Sequence, residues 1–139
     1  MNWKNIATHT AALAAALFFS GVLTGLFSDS TPGAIVAFAC GGYLASFIIG
    51  AVIFAHLAIR QSEKTVLHAV IVLVLSQLLQ ILLSALIEHW LPFEIPPYPV
   101  VLQAMGFVTD IAAAIVGTVV GIRNSGARWF GPVSNAGPE

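Results

Sequence analysis

Charged residues are scarce in this chain, and their scarcity predicts the solvent that surrounds it. Lys, Arg, Asp and Glu make up 8% of the 139 residues, whereas hydrophobic residues make up 58%. An ordinary soluble domain contains about 25% charged residues. So few charged side chains cannot cover a soluble fold of this length, so the sequence predicts a surface that faces the lipid bilayer. The formal net charge of −1 argues against a nucleic-acid partner, because phosphate binding needs a basic face.

Cysteine and catalytic motifs are also lacking. The single cysteine, Cys40, excludes an internal disulfide and every CxxC metal or redox motif. The sequence contains no GxSxG, no HExxH and no glycine-rich phosphate loop before a strand. We therefore expect a protein that is not an enzyme and that holds no catalytic residues, no metal and no cofactor.

Long apolar segments dominate what is present. A membrane-spanning helix needs about 20 mostly apolar residues, and four segments qualify. These segments are Ile6–Phe27, Ala34–Ile59, Val66–Ile87 and Val100–Ile122. Their short connections favour an antiparallel four-helix transmembrane bundle, an all-α membrane protein whose single domain covers residues 1–124. Residues 125–139 lack apolar periodicity and predict a short disordered cytoplasmic tail.

The basic residues predict how the chain is threaded. All five lie on one side of the four spans: Lys4, Arg60, Lys64, Arg123 and Arg128. The charged residues in the two connections on the other side are all acidic: Asp29, Glu88 and Glu94. The positive-inside rule therefore places both termini in the cytoplasm, and we expect a multi-pass protein of the bacterial inner membrane.

Small residues recur at four-residue spacing in three of the spans. They are Gly21 and Gly25 in the first span, Gly42, Ser46 and Gly50 in the second, and Ala113, Gly117 and Gly121 in the fourth. Small residues let helix backbones approach closely within a membrane. These faces either pack the internal bundle or receive a partner helix, and the sequence leaves both possibilities open. The third span is instead rich in Leu and Val.

Asp110 is the only charged residue inside a predicted span. An aspartate at the centre of a spanning helix costs roughly 2.5–3.5 kcal/mol on insertion scales, so it should face protein or water. Gln103 lies on the same helical face as Asp110, and Gln77 and Gln80 form a polar stripe on the third span. Gln77 and Asp110 lie at the same depth, so we expect their side chains to be in contact.

More than one role for Asp110 remains open at this point. No Lys or Arg lies at its depth, and an unpaired ionised carboxylate is costly to bury, so the neutral acid is favoured. A neutral Asp110 can fasten the third and fourth spans through a hydrogen bond. Alternatively, it binds and releases a proton, meets a cation, or contacts a basic residue of a partner protein.

Three histidines are expected near the cytoplasmic boundary. His9 lies near the start of the first span, His56 near the end of the second and His68 near the start of the third. Four-helix bundles can hold haem or metal between histidines, yet no ligand spacing or orienting acid accompanies these three. We expect an interfacial cluster that is able to titrate, and no bound haem.

These features favour a small non-enzymatic membrane protein that associates laterally with another membrane protein, as an accessory subunit or immunity-type factor. The alternative is a small homo-oligomeric transporter or channel coupled to protons or cations. In that alternative, Asp110 is the titrating group, and Gln77, Gln80 and Gln103 line a cavity. A haem or metal carrier ranks third.

Overall fold

The computed structural model describes residues 3–26, 32–61, 64–90 and 100–125. These residues form four helices and no strand, which confirms the predicted all-α class. The helices are α1 (Trp3–Leu26), α2 (Pro32–Arg60), α3 (Thr65–Trp90) and α4 (Val100–Ser125). Each end lies within three residues of the predicted span. The helix α4 includes Ser125, with which the predicted tail begins, and the rest of that tail lies outside the described residues.

Three of the helices are long and apolar enough to cross a membrane. The stretches that meet this condition are Ala39–Arg60, Thr65–Ile87 and Gln103–Ser125. The chain therefore fits an integral membrane protein. The helix α1 is not among the three within the described residues. Its first turns carry Lys4, Asn5, Thr8, His9 and Thr10, which lower its mean hydropathy.

The helices pack in the ring order α1, α2, α4, α3. The most extensive interface joins α2 to α4, and α1 and α4 make no contact within the described residues. Contacts between α1 and α2 run antiparallel, since Ser20 approaches Ser46 while His9 approaches His56. The helices α2 and α4 run parallel, so the largest interface lies between two helices that are not consecutive in the chain.

Two glycines on α4 allow the backbones of α2 and α4 to pack closely against each other. A Cβ added at Gly117 would overlap the backbone of Ala51, with the Ala51 Cα only 2.9 Å away. A Cβ at Gly121 would lie 2.5 Å from the carbonyl oxygen of Ala55. Because the neighbouring atoms are backbone, no side-chain rotation could make room. The two helices therefore approach to backbone contact, as small residues allow in membranes.

A buried apolar core lies between all four helices. Its members are Ile6, Leu13, Leu17, Phe54, Leu57, Ala69, Val72 and Ala114. Most of them lie in the half of the bundle that ends at four basic residues: Lys4, Arg60, Lys64 and Arg123. We call this end of the bundle the basic end. Arg128, the fifth basic residue, lies outside the described residues.

Candidate functional site

The polar contact between α3 and α4 is the first candidate site. Gln77 Nε2 donates a hydrogen bond to Asp110 Oδ2 over 2.7 Å. Gln77 lies at the middle of α3 and Asp110 near the middle of α4, and both side chains are half-buried. The structure thus brings together the two residues whose equal depth predicted a contact. The distance lies at the short end of the ordinary range for an N–H···O hydrogen bond.

The other two glutamines of the predicted polar site occupy different surroundings. Gln80 is half-buried, and its Nε2 is fully enclosed without a hydrogen-bond partner in the part of the chain that the structure describes. Gln103 is exposed on α4, two turns from Asp110. Neither residue is bonded to Asp110, because only Gln77 donates to that carboxyl group among the described residues. The site is therefore a pair with a neighbouring buried amide, and Gln103 lies apart from it.

This arrangement supports two kinds of chemistry. A carboxyl oxygen accepts a bond from an amide whether or not the group is ionised, so the contact with Gln77 survives a change of protonation at Asp110. The other carboxyl oxygen, Oδ1, accepts no hydrogen bond from the described residues. The described Lys and Arg residues all lie at the basic end, so none of them neutralises Asp110. The pair can thus fasten two helices, and its second oxygen can also take up a proton.

The three predicted histidines lie at the basic end, and the structure brings two of them together. His9 Nε2 lies 3.2 Å from His56 Nδ1, and their rings are tilted by 32°. His9 and His68 are buried, whereas His56 is exposed. His68 Nδ1 donates to the backbone oxygen of Lys64 over 3.0 Å. Among the described residues, no group of three or more His, Cys, Asp or Glu side chains could hold a metal ion.

The predicted packing residues divide into an internal set and an open set. Gly50 is buried, and a Cβ there would lie 3.1 Å from the Cβ of Ala113. Together with Gly117 and Gly121, it serves the α2–α4 interface. Ser46 lies 3.5 Å from Ser20, oxygen to oxygen, and Gly42 is half-buried. Gly21 is exposed with no atom within 4 Å of an added Cβ, so it packs against nothing described.

The surroundings of Gly25 lie outside the described residues, although its backbone belongs to α1. Sequence reasoning also missed a second run of small residues on α1. Five residues of the stretch ATHTAALAA are exposed: Ala7, Thr8, Ala11, Ala12 and Ala15. The four-residue spacing of Ala7, Ala11 and Ala15 is visible in the sequence. It does not mark one face of α1, because alanine residues are spread around this helix.

No family model, curated protein or solved structure matches this chain.

Proposed function

We propose that this protein is a small non-enzymatic integral membrane protein that acts by lateral helix–helix association with another membrane protein. It serves as an accessory subunit or immunity-type factor in the bacterial inner membrane. In this proposal α1 crosses the membrane as a fourth span, and both termini lie in the cytoplasm. The observation that carries the proposal is a run of small exposed side chains on α1, between the exposed aromatic residues Trp3 and Phe19, at a level where the exposed side chains of the other helices are mostly large.

The contrast between α1 and α3 is one of side-chain size. The α1 face, as we call it, consists of Ala7, Thr8, Ala11, Ala12 and Ala15, all exposed. On α3 most of the exposed side chains are bulky, with Ser84 and Ala85 as small exceptions. The exposed aliphatic residues of α3 are Leu67, Val70, Val74, Leu75, Leu78, Ile81, Leu82 and Leu86. Lipid tails are as apolar as leucine, so bulky side chains are well accommodated in lipid. The α1 face instead allows a neighbouring helix to approach to backbone distance.

The small residues of α2 and α4 at this level do not compete for this role, because the bundle already uses them, and the open Gly41 of α2 lies in the other half of the bundle. Gly50, Gly117 and Gly121 are buried in the α2–α4 interface. Gly21, by contrast, is open, and it lies on the same side of α1 as Ala7. Phe18, which is half-buried, and Phe19, which is exposed, lie between Ala15 and Gly21, so the continuous small surface is the stretch from Ala7 to Ala15.

The polarity of α1 supports the same proposal. Lys4, Asn5 and Thr8 lie in its first two turns, and α1 is not among the described helices that are apolar enough to span by themselves. A polar face next to lipid is unfavourable, and contact with a protein partner relieves that cost. A partner helix on the α1 face would cover Thr8 and the alanines together.

The proposal is tested by the mass of the protein in its native membrane. We would tag it at natural abundance, extract it in mild detergent and measure the mass of the particle that carries it. After the mass of the bound detergent is subtracted, we expect a protein mass greater than that of the 14.6 kDa chain. The double variant Ala11→Leu and Ala15→Leu should release the partner, because each leucine holds the two backbones apart.

A matched control uses exposed residues of α3. The double variant Val70→Leu and Val74→Leu adds bulk to a surface that is already bulky, so it should leave the complex intact. Migration of the wild type as a single chain would refute the proposal. A second tagged copy found in the complex, with no other protein present, would favour the homo-oligomeric alternative.

That alternative, a proton- or cation-coupled transporter or channel, has one observation of its own. Asp110 lies near the middle of α4, is only half-buried, and keeps Oδ1 without a hydrogen bond from the described residues. A carboxyl group at such a depth commonly marks a proton or ion path. Replacement of Asp110 by Asn separates the two functions, since Asn cannot titrate.

A further inference from the structure

A pair of histidines joins α1 to α2 at the basic end, and its hydrogen bonds fix where the protons are. His9 Nδ1 lies 2.7 Å from the backbone oxygen of Asn5. His9 Nε2 lies 3.2 Å from His56 Nδ1. His9 is buried, whereas His56 is exposed. The chain of groups therefore runs from a backbone carbonyl, through a buried ring, to a ring at the surface.

The carbonyl at one end determines the tautomers of both rings. A carbonyl oxygen only accepts, so His9 Nδ1 must carry a hydrogen and donate it to Asn5. In neutral His9 the other nitrogen, Nε2, then has only a lone pair, and it must accept from His56 Nδ1. His56 Nδ1 therefore carries a hydrogen too. In neutral His56 this leaves the lone pair on Nε2 of the exposed ring.

The two rings have room for one more proton without losing either hydrogen bond. A proton added to His56 Nε2 leaves His56 Nδ1 as donor and His9 Nε2 as acceptor. A second proton would have to occupy His9 Nε2, where it would face the hydrogen on His56 Nδ1. We propose that His9 and His56 together form a binding site for a single proton that enters at the exposed ring.

The bound proton can shift its charge to the buried ring. A proton from water adds to His56 Nε2, and the hydrogen on His56 Nδ1 then passes to His9 Nε2. His56 is left neutral with its hydrogen on Nε2, and the positive charge lies on His9. Transfer stops there, because His9 Nδ1 faces only the carbonyl of Asn5, which is not a base. The pair stores a proton, and no onward path follows from these contacts.

The charges around the pair also limit it to one proton. Lys4 on α1, Arg60 on α2 and Lys64 before α3 are exposed at this end. Arg123 lies in the last turn of α4, which packs against α2. His68 is the titratable residue of α3 at this end, and it is buried with Nδ1 bound to Lys64. The acidic residues that the structure describes are Glu88, near the far end of α3, and Asp110.

Glu63 lies between Arg60 and Lys64 in the sequence, outside the described residues. The groups described at the basic end are therefore cationic or neutral. Two positive rings in contact would repel each other and these cations, so the surroundings disfavour a second proton on the pair.

The test is a nitrogen NMR titration of the intact wild-type protein, labelled at histidine, in detergent or bilayers. At about pH 8 we expect Nδ1 of both His9 and His56 to carry the hydrogen. A scalar coupling across the hydrogen bond should join His9 Nε2 to His56 Nδ1. When acidification adds the first proton to the pair, the coupling should persist, because that proton leaves both hydrogen bonds in place.

Two variants assign the signals and supply the control. His56→Ala should change the Nε2 signal of His9 and abolish the coupling. His89→Ala removes an exposed histidine at the end of α3, far from the pair, and should leave both rings unchanged. Loss of the coupling on uptake of the first proton, or uptake of two protons in a single step, would overturn the proposal. A hydrogen on His9 Nε2 at about pH 8, or an unchanged His9 in His56→Ala, would overturn it as well.

Discussion

Gln77 donates a hydrogen bond to Asp110 across 2.7 Å, and this contact joins the middle of α3 to the middle of α4. Replacing Asp110 with Leu removes the acceptor and leaves the Gln77 amide without its partner. Hydrogen bonds between helices inside membranes contribute roughly 1 kcal/mol. We expect Asp110→Leu to lower the free energy of unfolding in detergent by about that amount. An unchanged stability would mean that the contact does not fasten the two helices.

The isosteric replacement of Asp110 by Asn separates fastening from proton exchange. Asn keeps an oxygen that accepts from Gln77, so stability in detergent should stay within about 0.5 kcal/mol of the wild type. If the protein acts by lateral association, the cellular phenotype of a deletion should be rescued fully by Asp110→Asn. A stable variant that fails to rescue, while Asp110→Glu succeeds, would favour the transporter instead.

The backbone contact between Gly117 and Ala51 should tolerate no added methyl group. Gly117→Ala would place a Cβ within 2.9 Å of the Ala51 Cα, so the two helices would have to move apart. Overpacking of this kind costs roughly 1–3 kcal/mol, measured as thermal or chemical stability in detergent.

Gly41 provides the matched control for that substitution. It belongs to α2 and is exposed, with no atom within 4 Å of an added Cβ. Alanine there should be neutral, or should stabilise the helix by up to about 1 kcal/mol. Equal losses from Gly117→Ala and Gly41→Ala would show that the α2–α4 contact is not as close as the structure describes.

Threading of the chain can be tested with reporter fusions. The basic residues predict that the connections after Ser28 and after Glu94 lie outside the cytoplasm. Reporters fused after these two residues should read as external, and reporters after Gln61 and after Glu139 as internal. An external reading after Glu139 would contradict the proposed topology. An internal reading after Ser28 would show that α1 does not span the membrane.

Much of the fold follows from the sequence, because hydropathy and length decide where spanning helices begin and end. The contact between Gln77 and Asp110 was also predictable, since short connections set the depth of each residue and a polar group at that depth has few partners. The sequence likewise predicted that His9 and His56 lie at the same depth in the bundle. Their hydrogen bond further depends on how α1 is rotated about its axis, which an alanine-rich helix does not reveal.

The ring order of the helices could not be predicted in the same way. Gly21 and Gly117 have the same four-residue spacing of small neighbours, yet Gly117 is buried and Gly21 is open. Between apolar helices in lipid no hydrophobic force selects the partner, and several spans offered a small face. The parallel pairing of α2 with α4 therefore depends on how well two particular backbones fit together. A pattern of residue sizes does not predict that fit.

The proposed role of the α1 face is tested most directly by photo-crosslinking in living cells. A photoreactive amino acid at position 11 replaces Ala11 on the α1 face, and the same amino acid at position 74 replaces Val74 on the exposed surface of α3. The account predicts that position 11 gives one discrete adduct with another membrane protein and that position 74 gives none. Adducts at neither position, or the same adduct at both, would contradict it.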